Sequence, residues 1–320
     1  MQRRTFLTTA SALALPTAWN LAHAADNYPS RPIQVIVPYA AGGADSYVRP
    51  LQPALEKNHQ VRLVIESLVG AGGTIGAMKV KRSAPDGLTL LFCGSGALTI
   101  APSLQNNGAP RPSDLTPILN LTNIPYVIAV RKDMPVRNAA EFISFIKQNP
   151  GKLNYGTPGT GSAPHLGMEG LAQKLGTSVT HVPFAGVTAA VQSLLGGHID
   201  AVIGAPSNVM PQISSNAVRG IAVTSKKRFP FAKDLPTLAE AGADMEVTTH
   251  FGFFGPKGMP AAYVQKLATV IREAAEDPAY AKVMEGMQTP VDLLTADVLA
   301  QELAAEQARF EPLLAGMRQK

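Results

Sequence analysis

Ile33-Gln34-Val35-Ile36-Val37, followed by Pro38-Tyr39-Ala40-Ala41-Gly42-Gly43, is the stretch that sets the fold. A β-branched apolar run of this length reads as a short buried strand, and the glycine pair behind it as a turn. A helical pattern then runs to about Lys57. The same unit recurs twice downstream. Val61 to Ile65 is a strand ending in Gly70-Ala71-Gly72-Gly73, with a helix to about Arg82; Leu88 to Phe92 is a strand ending in Gly94-Ser95-Gly96. Strands that alternate with helices predict an α/β fold with a mainly parallel sheet covered on both faces.

The pattern restarts near residue 127. Val127-Ile128-Ala129-Val130 is a strand and Ala139 to Gln148 an amphipathic helix. Leu153-Asn154-Tyr155 leads into Gly156-Thr157-Pro158-Gly159-Thr160-Gly161-Ser162 and a helix through Leu175. Val179 to Val182 leads into Phe184-Ala185-Gly186, and Ala201-Val202-Ile203 into Gly204-Ala205-Pro206. Ile221-Ala222-Val223 and Phe251-Gly252-Phe253-Phe254 complete the strands. Helical stretches follow at about 260–275, 278–286 and 295–316. Two α/β lobes result, without a long linker or a short-period repeat.

Composition narrows the function classes. Of 320 residues, 46% are hydrophobic and 16% charged, which is globular rather than disordered. One cysteine, Cys93, excludes an intramolecular disulfide and any multi-cysteine metal site. It ends an apolar strand, where a small buried hydrophobe is the ordinary role. The six histidines form no HxxxH or HExxH pair, so a histidine-rich metal site is not expected; no cofactor is expected either.

The N-terminus reads as an export signal. Arg3 and Arg4 precede a weakly apolar stretch from Phe6 to about Leu15, and Ala22-His23-Ala24 supplies the small residues of a cleavage site after Ala24. Arg3-Arg4-Thr5-Phe6-Leu7 is similar to a twin-arginine signal, with Thr8 where a lysine is usual, so Tat and Sec export both stay open. Removing residues 1–24 lowers the formal charge from +5 to +3, too little to argue for nucleic acid. No later apolar run approaches the roughly 20 residues of a membrane span. A periplasmic location is the expectation.

The glycine loops are the candidate site. In an open α/β sheet, ligands sit beyond the carboxyl ends of the strands. Each loop leaves a strand there and opens a helix, whose first amides lack internal partners and carry the positive dipole end. Several such loops around one cleft can hold a carboxylate without a cationic side chain. Tight βα turns alone would explain the glycines equally well.

Enzyme motifs do not fit. Gly70-Ala71-Gly72-Gly73-Thr74-Ile75-Gly76 misses GxGxxG, no GxxxxGK[ST] exists, and neither Ser95 nor Ser162 sits in GxSxG. His165 could donate to a ligand oxygen or serve packing. Asp45 is the one carboxylate in these loops.

Taken in order, these residues resemble the Bug-type solute receptors of tripartite tricarboxylate transporters. The resemblance rests on Tyr28-Pro29-Ser30-Arg31-Pro32, Val37-Pro38-Tyr39 with Gly42-Gly43, Gly70 to Gly76, and Asp86-Gly87-Leu88-Thr89-Leu90. It continues through Leu153 to Ser162 with His165, His181-Val182-Pro183-Phe184-Ala185-Gly186, Leu235 to Gly242 and Phe254-Gly255-Pro256. The resemblance implies a two-lobed periplasmic-binding-protein fold of the type II, Venus flytrap kind. Residues 25–124 with 251–320 would form one lobe and 125–250 the other. It also implies that a small organic carboxylate is held between the lobes, by Tyr39, Ala40, Ala41, Gly42, Gly43, Asp45, Gly72, Gly73 and Ser95 from the first. The second would contribute Thr157, Gly159, Thr160, Ser162, His165, Ala185 and Gly204. Membrane permease subunits are the implied partners, and a monomer the expected state. The sequence departs from the family where Gly42-Gly43-Ala44-Asp45 brings the acid one residue early. Two other readings remain: a ligand-sensing module for a signalling system, and a secreted hydrolase using Ser162 and His165.

Overall fold

The computed structural model describes residues 28–104 and 108–318; the expected signal segment lies outside the described residues. Ten strands make two five-stranded sheets. The first contains β1 (Ile33–Val37), β2 (Leu63–Ser67), β3 (Thr89–Gly94), β4 (Leu115–Pro125) and β10 (Thr248–Pro256), in the order β2-β1-β3-β10-β4. The second contains β5 (Val127–Arg131), β6 (Asn154–Thr157), β7 (Thr180–Pro183), β8 (Ala201–Gly204) and β9 (Val218–Val223), in the order β7-β6-β8-β5-β9.

The sheets share one plan. Three parallel strands come first, with β1 between β2 and β3, and β6 between β7 and β8. A strand arriving from the other sheet follows, β10 in the first and β5 in the second, and it pairs antiparallel on both sides. Each sheet is therefore mixed where the alternating pattern suggested mainly parallel, because the crossing strands enter from the opposite end.

The chain passes from the first sheet to the second at Tyr126 and returns through Val247. Thr224 ties the two passages together: its hydroxyl accepts from the Tyr126 amide at 2.8 Å and donates to the Val247 carbonyl at 2.5 Å. The C-terminal helix, Ala296–Arg318, is a third connection. Leu299 and Leu303 pack with Ile36, Leu91 and Phe254 of the first sheet, whereas Phe310 and Leu314 lie in the core under the second.

Two elements depart from the sequence pattern. The stretch expected as one helix to Lys57 is three pieces, Asp45–Val48, a 3₁₀ turn Arg49–Leu51 and Gln52–His59. Pro50 and Pro53 each stand in the first turn of a new piece, where a missing N–H costs nothing. β4 was not visible as a strand because Pro117, Asn120, Asn123 and Pro125 interrupt its apolar pattern. It is the outermost strand of its sheet, where proline is tolerated.

Candidate ligand-binding site

Segments after β1 and β3 approach segments after β6 and β8. Gly161 lies so close to Leu104 that a β-carbon on it would stand 2.9 Å from the Leu104 Cδ1. Gly96 approaches the backbone of Ala163 in the same way, at 3.9 Å. Beside the Tyr47 hydroxyl stands Ser207 of the other sheet. Segments that follow β1 and β3 thus face segments that follow β6 and β8 across one cleft.

Its floor is aromatic. Tyr39 opens the loop after β1 and Tyr47 lies in the helix behind it; Phe251 of β10 packs edge-on to both, at ring separations of 6.3 and 5.4 Å. The Tyr126 and Thr249 hydroxyls lie 2.6 Å apart. Burial pushes the Tyr39, Tyr47 and Tyr126 phenols upward, so all three stay neutral.

The walls carry no Lys or Arg in any of the six loops. Their positive potential comes from backbone. Helices Thr74–Lys81, Ala163–Lys174, Val187–Leu195 and Pro206–Ser214 all begin at the cleft, and none has a side-chain cap. Helix Ala139–Gln148, which begins at the opposite edge of the second sheet, is capped by the Asn138 carbonyl oxygen accepting from Glu141 N–H. Helices elsewhere differ among themselves, Pro278–Gly286 being capped by Asp277 and Ala261–Ala275 uncapped; at the cleft the missing caps leave helix dipoles and first-turn amides open to an anion.

Individual loop positions now separate. Ala40, Ala41, Gly42, Gly43, Gly72, Thr160 and Ala185 are exposed, and Gly159 and Ser162 partly so. Several of their amides are already used: Gly43 bonds Ala40 O at 3.1 Å, Gly73 bonds Gly70 O at 3.0 Å, and Ser162 bonds Gly159 O at 3.3 Å. Among the described residues, the amides of Ala41, Gly42, Thr160 and Ala185 have no internal acceptor.

Other positions turn inward. Ser95 is fully buried, its amide bonded to His250 O at 2.8 Å, and Thr157 is fully buried as well. Gly204 is a packing glycine: a β-carbon there would stand 2.4 Å from Val187 Cγ2. Tyr39 is half-buried, its hydroxyl accepting from Gly94 N–H at 3.1 Å. Asp45 is 2% exposed and starts the short helix Asp45–Val48, where Oδ2 takes the Arg49 Nε–H at 2.8 Å. The early acid of the Gly-Gly-Ala-Asp sequence pairs with Arg49 one turn on, caps no helix, and leaves Oδ1 buried without a partner.

Ser162 and His165 make no nucleophile–base contact. The Ser162 hydroxyl donates to Gly159 O at 2.7 Å, and His165 Nδ1 accepts from Gly161 N–H at 3.1 Å. Sequence reasoning missed Tyr126, Thr249 and His181. The period-two alternation of Thr249 and Phe251 was the available signal for the floor.

Known proteins place the chain in a family. Residues 47–317 match the model of the tripartite tricarboxylate transporter family receptor. A relative from Agrobacterium vitis, a UPF0065 protein of the TAR-I ttuE–ttuC′ intergenic region, is 34% identical, over 98% of this chain and 91% of its own. The periplasmic binding protein BugD superposes with a TM-score of 0.79 at 32% identity, covering 89% of this chain and 98% of that one. MatC from Rhodopseudomonas palustris with bound malate gives 0.79 at 30% identity, covering 90% and 100%. These relatives are solute-binding receptors, not enzymes. On the family match over residues 47–317 and these full-length likenesses, this chain belongs to the tripartite tricarboxylate transporter receptor family.

Proposed function

We propose that the protein, once exported to the periplasm, captures a small organic carboxylate between its two lobes and delivers it to a tripartite tricarboxylate-type permease. The observation that carries this reading is the set of four uncapped helix N-termini that follow loops without Lys or Arg. Amides of Ala41, Gly42, Thr160 and Ala185 take the carboxylate oxygens, directly or through water. The aromatic floor meets the rest of the ligand. Malate in the structure of MatC supports the ligand class.

Closure follows from the connections. Ligand binds the loops of one lobe, the other swings about Tyr126 and Val247, and the permease reads the closed form. Lobe one comprises the first sheet and lobe two the second, and the receptor acts as a monomer.

The test is a thermal-shift screen of residues 25–320 against malate and other organic acids, with calorimetry on each hit. A ligand at about 100 times its dissociation constant adds about 2.7 kcal/mol of stability. A hit recovered unchanged, with a smaller radius of gyration in the complex, is the expected result. Turnover of a hit, or binding limited to amines and neutral sugars, would overturn the reading.

A further inference from the structure

We infer that His165 acts on the ligand only indirectly, as the positioning residue that shapes the second-lobe loop Thr157–Ser162, with His181 as its stacked support. This rests on the carboxylate reading of the cleft.

His165 is 5% exposed, in the first turn of helix Ala163–Lys174, and does not open onto the cleft. Its Nδ1 accepts from the Gly161 amide at 3.1 Å. That donor is fixed, so the proton of the neutral ring resides on Nε2. The ring stacks on His181, with centroids 3.9 Å apart and planes 27° apart. His181 Nε2 is 2.7 Å from Thr157 Oγ1. The Thr157 hydroxyl in turn reaches Gly159, whose amide donates to it at 3.3 Å.

Two imidazoles in face-to-face contact therefore grip both ends of one loop. His181 holds Thr157 and Gly159; His165 holds Gly161. The residue between the two grips is Thr160, exposed and with a free amide. Losing either grip lets that amide drift from the ligand while touching nothing the ligand touches.

The grip also requires uncharged rings. Protonated His165 would set an N–H against the Gly161 N–H, and would place a cation 3.9 Å from the His181 ring. Burial depresses both imidazoles to about 4. The charged group facing the pair is Glu169, one helical turn beyond His165, whose Oε1 accepts from the Tyr155 hydroxyl at 2.8 Å; Tyr155 packs on His181 at 5.1 Å.

The test compares His165→Leu, which keeps the volume, with His165→Asn, which restores an acceptor near the Nδ1 position. Nitrogen-15 NMR of the free protein is read first. The expected result is an Nε2–H tautomer for His165 at pH 7, a Gly161 amide that exchanges faster in the Leu variant, and protection regained in the Asn variant. As pH falls through about 4, the wild-type Gly161 amide loses protection and the Asn variant does not. Calorimetry with malate follows: affinity falls at least about tenfold in His165→Leu and returns to within about threefold in His165→Asn. Unchanged Gly161 exchange in His165→Leu overturns the proposal whether or not malate is bound. Malate binding as weak in Asn as in Leu overturns it too, by showing that the ring itself meets the ligand. If wild type ignores malate while the exchange pattern holds, the loop mechanism stands and the ligand assignment falls.

Discussion

Glu306 is 4% exposed, on the C-terminal helix, with its carboxyl 2.6 Å from the Thr99 hydroxyl, which also lies 3.0 Å from Ser95 O. The Thr99 hydroxyl donates to Glu306 Oε1, and the Ser95 side chain faces the same carboxyl. Burial, the largest influence, pushes Glu306 up to about 7. Folded Glu306 thus holds its proton more tightly than the unfolded chain does, and stability falls as pH rises from about 4.5 through 7. Glu306→Gln should melt a few degrees higher than wild type at pH 8 and lose that decline, as read by calorimetric melts across pH. Gly73 gives the opposite sign. Its φ is +98°, and a β-carbon would stand 2.9 Å from that of Ala97. Gly73→Ala should cost about 2–4 kcal/mol in urea unfolding and weaken carboxylate binding. The glycine spacing made both sets of cleft loops legible from sequence alone. It could not show that Ser95, Thr157 and Gly204 face inward, since spacing locates a turn and not the direction of a side chain.

At the scale of elements, periodicity located each buried βα unit. It stopped where strands lie at an edge or prolines reset a helix, as in β4 and between Asp45 and His59. The C-terminal helix was legible as a helix but not as a bridge, because Leu299, Leu303, Phe310 and Leu314 form one ordinary apolar stripe. Only its partners show that the stripe changes lobes midway. Phe310 is 1% exposed in the second-lobe core. Phe310→Ala should therefore cost about 3–5 kcal/mol in denaturant unfolding. Hydrogen exchange should report the loss in helices Ala139–Gln148 and Ala163–Lys174 rather than around β1.

For the molecule as a whole, the two passages between sheets and the helix that spans them define the hinge. Thr224→Val strands the buried Tyr126 amide at the pivot, at a cost of about 1–3 kcal/mol. Scattering of the free variant should show a broader spread of lobe separations than wild type.

The strand order has a consequence for how the chain is made. β10, residues 248–256, lies between β3 and β4, so β4 has no place in the first sheet until β10 has been synthesised. The second sheet, in contrast, is complete once β9 leaves the ribosome. A nascent chain therefore carries a finished second sheet beside a first sheet that waits, open-edged at β3, for residues about 150 positions downstream. That delay keeps the first-made segment the last to close, and leaves its unpaired edge exposed longest to chaperones.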